Sequence, residues 1–311
     1  MTPASPLIVA ENLSRFYGII LGLNNVTFRI MPGITGIIGP NGAGKTTLFR
    51  LLLGQIRPSS GHLTLFGEAP WNNPRVQARL AYCPESEQVP AGLTAIDWLV
   101  GLGLISGLTR REAREEAETA LARVQLSPEH AAKPISRYSK GMKQRVKLAQ
   151  CLLHRPALII LDEPMNGLDP MGREEMAVVL RELAGAGTSV LISSHILHDL
   201  EALCSDFLFL RWGRIPRSLN EAAKPGVERW PASTTFRCAS PEQLARFFFE
   251  RQLIRGFELD PDAGTLEVRW TDPQRFYGDF HRLLLESGVA VQEVQATESF
   301  LEKAAGPAIA P

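Results

Sequence analysis

The chain has 311 residues, 45% of them hydrophobic, and its 33 lysines and arginines balance 33 aspartates and glutamates for a formal net charge of +0. That length carries more than one typical domain, and the charge balance excludes a global field that would draw the chain to nucleic acid or an anionic surface. The four cysteines, Cys83, Cys151, Cys204 and Cys238, form no C-x-x-C pair, which argues against a disulfide framework or a zinc site.

The first ten residues have no cationic segment ahead of an apolar core, and Glu11 follows at once. They read poorly as a secretory signal and predict a cytoplasmic protein. Ile34 to Ile38 is a short, partly β-branched apolar run of the kind a buried strand has. Next comes Gly39-Pro40-Asn41-Gly42-Ala43-Gly44-Lys45-Thr46, followed by Thr47, which reads G-x-x-x-x-G-K-T. Glycines let successive N–H groups turn inward, and a following helix adds its positive end to the same place, so the segment predicts a phosphate-binding loop. Lys45 would reach the β- and γ-phosphates of a triphosphate, and the Thr46 hydroxyl would ligate Mg²⁺. Leu48, Leu52 and Ile56 recur at helical spacing beside Phe49 and Leu53, which predicts that helix.

Further on, Ile96 to Leu108 contains Asp97 and is shorter than the ~20 apolar residues needed to span a bilayer. Arg111 to Val124 mixes Glu, Arg and Ala at helical spacing and reads as a helix with a solvated face. Ala157 to Leu161 is a continuous apolar run ending in Asp162-Glu163-Pro164, which predicts a strand buried on both faces with two carboxylates at its carboxyl end. Open α/β sheets bind ligands at that end. Asp162 would hold Mg²⁺, directly or through water, and Glu163 would accept a proton from an attacking water. Another apolar run, Thr188 to Ser193, ends near His195, whose imidazole could reach a γ-phosphate and the same water.

With these residues the chain resembles the nucleotide-binding subunits of ATP-binding cassette (ABC) transporters from about Leu7 to Ile215. The family's signature is matched by Tyr138-Ser139-Lys140-Gly141-Met142, its D-loop by Gly167-Leu168-Asp169, its switch histidine by His195, and its adenine-stacking aromatic by Tyr17. The resemblance implies a P-loop α/β domain over residues 1–218, with a helical subdomain at about 86–150 that docks on a membrane partner. It implies ATP and Mg²⁺ as ligands and a head-to-tail dimer, identical or mixed. In that dimer Ser139 and Gly141 of one chain close over the γ-phosphate held by the other. The string from Tyr138 to Arg145 resembles the branch serving bacterial exporters, so a separate permease is the implied partner and no nucleic acid is. The protein would lie on the inner face of the cell membrane through that permease. A cassette that works without moving cargo, in signalling, mechanical or nucleic-acid-linked roles, is the alternative. Two positions depart from the common pattern: Met142 ends the signature, and Glu85 stands where many members carry glutamine. We expect Glu85 to ligate Mg²⁺ and to alter coupling more than nucleotide affinity.

Residues 219–232 are polar, contain Pro225 and Gly226, and read as a linker. From 233 to 304 the pattern predicts a small α+β domain, with strands at Thr234 to Cys238, Gly256 to Leu259, Leu266 to Trp270 and Val289 to Val294. Helices are predicted at Pro241 to Leu253 and around Phe276, Phe280, Leu283 and Leu284. The order βαββαβ is ferredoxin-like. The resemblance to the exporter branch, whose C-terminal extensions end in a short helix, implies one at Glu298 to Ala304, with a tail at 305–311. Of Phe247, Phe248 and Phe249, helical spacing sends two to the core and leaves Phe249 ambiguous.

Overall fold

The computed structural model describes residues 5–86, 89–194, 197–216, 233–261 and 263–296. The expected linker, the C-terminal helix, the tail and His195 lie outside the described residues. The chain divides into two compact units, one within Met1–Lys224 and one within Pro225–Ala310.

The first unit opens with strands β1 (Ile8–Tyr17) and β2 (Ile20–Ile30), which pair with β4 (Ser60–Leu65) as an antiparallel sheet in the order β2-β1-β4. Between them come β3 (Ile34–Ile38) and helix α1 (Lys45–Leu52). The chain continues through α2 (Pro74–Gln77), β5 (Leu80–Cys83), α3 (Ala95–Ile105), α4 (Arg110–Arg123), α5 (Pro128–Ala131) and α6 (Lys140–Leu152). Then follow β6 (Leu158–Asp162), α7 (Pro170–Gly185), β7 (Ser189–Ser193), α8 (Leu197–Leu203) and β8 (Asp206–Phe209). Strands β5-β6-β7-β3-β8 form a parallel sheet in that order. β3 and β7 are buried along their whole lengths and β6 all but its terminal Asp162, as expected of apolar strands covered on both faces. Parallel pairing brings the carboxyl ends of β3, β5, β6 and β7 to one edge, with Asp162 opposite Ser193 in the register.

Helix α1 stops at Leu52, short of Ile56. Gly54 turns the chain at φ +66°, where an added Cβ would strike the Pro70 carbonyl, and Gln55 N–H bonds back to Arg50. Ile56 therefore packs on the core from beyond the helix. That core joins Leu48, Phe49, Leu51 and Leu52 of α1 to Ile8, Leu13 and Leu23 of the antiparallel sheet and Ile160 and Leu191 of the parallel one.

Helices α3, α4 and α6 pack together. A Thr109–Glu112 capping box starts α4, Ala113, Ala117 and Ala120 bury one stripe, and Arg111–Glu115 and Arg114–Glu118 pair at 3.0 and 2.9 Å on the exposed side. Gly103 permits a close crossing of α3 over α4, since a Cβ there would come within 2.8 Å of Ala113 Cβ.

The second unit runs β9 (Ser233–Cys238), α9 (Pro241–Glu250), β10 (Ile254–Asp260), β11 (Thr265–Trp270), α10 (Pro273–Gly278), α11 (Phe280–Ser287) and β12 (Val291–Ala296). Its antiparallel sheet has the order β10-β11-β9-β12. Where one second helix was expected there are two, separated at Asp279. Phe236, Phe248, Trp270 and Phe276 form the centre of its core, with Trp270 and Phe276 stacked at 3.4 Å between centroids. Phe248 is fully buried, Phe247 partly so, and Phe249 is 65% exposed.

Candidate functional site

At the carboxyl edge of the parallel sheet, the loop after β3 and the start of α1 line one cavity of about 290 Å³. Its lining comprises Tyr17, Ile20, Leu21 and Gly22, residues 40–47, and the acidic residues Glu85, Asp162 and Glu163. Gly39 cannot be exchanged cheaply, because a Cβ would run into the Leu210 carbonyl. Gly42 and Gly44 have φ +79° and +109°, and a Cβ on Gly44 would come within 2.7 Å of Gly22 O. The loop is thereby bent so that α1 begins at Lys45 with its amino end at the cavity. Asn41 and Gly42 are exposed, Ala43 is buried, and Lys45, Thr46 and Thr47 line the cavity. The Lys45 ammonium donates to Gly39 O at 2.5 Å and to Pro40 O at 3.3 Å, so the cation is held over the loop itself.

Ser193 links the two acidic residues at the end of β6, Asp162 by its carboxylate and Glu163 by its backbone amide. Asp162 Oδ1 accepts from Ser193 Oγ at 2.6 Å, and the same hydroxyl accepts from Glu163 N–H at 3.0 Å. Asp162 Oδ2 accepts from Tyr82 OH at 3.4 Å. Burial, then the Asp162 charge and hydrogen bond, push the Tyr82 phenol up to about 12, so it remains a donor. Glu163 adopts φ +49°, a left-handed conformation unusual for a non-glycine residue, immediately beside that anchored amide. Ser193 and Tyr82 carry no motif. Their link to Asp162 emerges only from strand order, which sets β7 and β5 on either side of β6.

Glu85, just past β5, is fixed twice. Its Oε1 accepts from Asn166 Nδ2 at 2.8 Å, and its backbone carbonyl accepts from Lys147 Nζ at 3.1 Å. Tyr17 lies at the end of β1 with the Arg15 guanidinium 4.9 Å from its ring centroid, and its buried hydroxyl has no hydrogen-bond partner among the described residues.

Ser139, Gly141 and Asp169 fall elsewhere. They line a second cavity of about 560 Å³ together with Lys140, Met142, Gly167 and Leu168. Ser139 caps α6 by accepting from Met142 N–H at 3.2 Å, and Asp169 caps α7 by accepting from Gly172 N–H at 2.8 Å. Two helix amino ends thus flank this cavity, and none of its lining residues borders the first.

A family model described as "ABC transporter" matches residues 23–166. The chain is 33% identical over 302 residues to the bacitracin transport ATP-binding protein BcrA of Bacillus licheniformis, covering 96% of this chain and 95% of that one. It is 32% identical to the Nod factor export ATP-binding protein I of Cupriavidus metallidurans over 67% of this chain and 69% of that one. Among solved structures, cbiO1 of Clostridium perfringens, part of the ABC transporter complex cbiONQ, superposes with a TM-score of 0.63 at 26% identity, covering 68% of this chain and 87% of that one. The chain belongs to the ABC transporter ATP-binding proteins, a family of P-loop ATPases.

Proposed function

We propose that this chain is the ATP-hydrolysing subunit of an exporter, driving a separate membrane permease by dimerising on ATP. The observation that carries this reading is the separation of the two cavities: the phosphate loop lines one, while Ser139, Gly141 and Asp169 line another. Helix amino ends attract anions. The start of α6 is thus an anion site apart from this chain's own phosphate loop, which suits it to a nucleotide carried by a second copy.

In this reading the amide-lined loop with Gly39, Asn41, Gly42, Ala43, Gly44 and Thr47 cradles the phosphates, Lys45 offsets their charge, and Tyr17 packs on the base. Thr46 and Asp162 are hard oxygen donors lining the same cavity, and such a pair fits Mg²⁺, which takes few protein ligands and completes its shell with phosphates and water. When bound, the ion neutralises charge on the phosphate oxygens. The Glu163 carboxylate accepts a proton from the water that attacks the γ-phosphorus as its bond to the bridging oxygen breaks. Ser193 accepts from the backbone N–H of Glu163 itself, which supports the aim of this carboxylate. His195 is assigned the positioning of that water from its place in the sequence, two residues beyond β7.

Two relatives are named for bacitracin transport and Nod factor export, which supports an export role and a location at the inner membrane face through the permease. No described helix is long and apolar enough to cross a membrane, so a separate membrane subunit would supply the passage. For the second unit we propose a ferredoxin-like βαββαβ assignment, supported by its sheet order, and a role in bracing the dimer.

Glu163→Gln tests the reading. The variant should lose turnover, keep ATP, and elute as a dimer in size-exclusion chromatography with ATP present. Full activity in that variant would dismiss Glu163 as the base.

A further inference from the structure

Lys147 is 5% exposed, a cation in the interior of α6 that no step above uses. A buried ammonium is costly unless its protons are well placed. Here they go to main-chain oxygens, with Nζ donating to Pro84 O at 2.8 Å and to Glu85 O at 3.1 Å. Those carbonyls belong to the segment leaving β5 at the edge of the nucleotide cavity. On the other side of the same residue, Asn166 donates to the Glu85 carboxylate at 2.8 Å. Asn166 is itself turned by its N–H bond to Glu163 O at 3.1 Å and precedes Gly167 of the second cavity.

We propose that Lys147 is a positioning residue for the nucleotide site: from the middle of α6 its ammonium holds the backbone of Pro84 and Glu85, and so sets the Glu85 carboxylate in the cavity wall. Helix α6 carries Ser139 as its cap at the other cavity, eight positions before Lys147, about 12 Å along the axis at 1.5 Å per residue. One helix thus has its cap in the lining of one cavity and, through Lys147, a charged tether to the backbone of Glu85, which lines the other. An ammonium suits the task because it offers three donors on a stem long enough to cross from the helix axis to the turn after β5. This deepens the ATPase reading above and rests on it.

The test is a double-mutant cycle on the full chain, with Lys147→Met and Glu85→Ala alone and together. Turnover is read at saturating ATP and high protein concentration, and ATP affinity by equilibrium binding. If Lys147 acts through residue 85, Lys147→Met lowers kcat by about tenfold, as loss of an orienting partner typically does, while ATP affinity moves by less than about threefold. In the Glu85→Ala background the same change then has little further effect, and Lys147→Arg restores much of the wild-type rate. Equal losses of kcat in both backgrounds, or wild-type turnover by Lys147→Met, would overturn the proposal. Should Lys147→Met fail to fold, Lys147→Gln, neutral but still a donor, takes its place and is judged by the same cycle. Because the cycle compares backgrounds at one high concentration, its failure leaves the dimer reading standing, and failure of the Glu163→Gln test does not decide the cycle.

Discussion

Ser193 donates to Asp162 at 2.6 Å and receives the Glu163 amide proton at 3.0 Å, so one hydroxyl on β7 fixes both acidic residues at the end of β6. The serine is fully buried, and the register of the two strands sets it opposite Asp162. Removing its hydroxyl takes away the acceptor of the Glu163 N–H and the donor to Asp162 Oδ1. Ser193→Ala should raise the Mg²⁺ concentration needed for half-maximal ATPase activity by roughly 10–100-fold. It should also cost about 1–3 kcal/mol of stability through the unpaired groups. A magnesium titration of both proteins checks this, and coincident curves would contradict it.

Tyr82 contributes the second contact to Asp162, and its proton should be hard to remove. Its phenol is pushed from the ordinary 10.0 up to about 12, first by burial and then by the adjoining carboxylate. The fold favours the neutral form, so this contribution is fully present below pH 10 and is lost as pH rises towards 12, where the unfolded chain releases the proton first. Absorbance titration of wild type minus Tyr82→Phe should show a phenol with a midpoint about 12. A midpoint at the ordinary 10.0 would contradict the assignment.

Glu85 brings a carboxylate to a cavity wall that already holds Asp162 and Glu163. Replacing it by glutamine keeps an acceptor for Asn166 and removes one negative charge. Glu85→Gln should shift the Mg²⁺ dependence and the partner-stimulated ATPase rate while ATP affinity stays within about threefold. If both remain unchanged, Glu85 has no part in the metal site or in coupling.

The parts of this architecture that local chemistry dictates are readable in the chain. Ile34–Ile38 and Leu158–Leu161 announce buried strands by unbroken apolar character, and the loop between Gly39 and Thr46 by glycines and a lysine. Boundaries set by single backbone geometries are harder to read. Gly54 ends α1 before Ile56, although the apolar spacing runs on, and Asp279 divides a helix whose apolar positions continue through it. The contacts that orient the carboxylates are least legible, since Tyr82, Lys147, Asn166 and Ser193 lie up to 111 positions apart (193 − 82) in the sequence. Only the strand order β5-β6-β7 and the packing of α6 under residue 85 bring them together. In the C-terminal unit helical spacing sends Phe248 to the core, where it is fully buried, but leaves Phe249 undecided, and only the fold shows that ring 65% exposed.

The separation of the phosphate loop from Ser139 and Gly141 makes the central claim a matter of concentration. We would measure ATP turnover per chain across serial dilution, with the mass of the species followed by light scattering. Clamping of each nucleotide between two chains predicts a per-chain rate that falls as the dimer gives way to single copies. Single copies that hydrolyse ATP at the undiluted per-chain rate would contradict it.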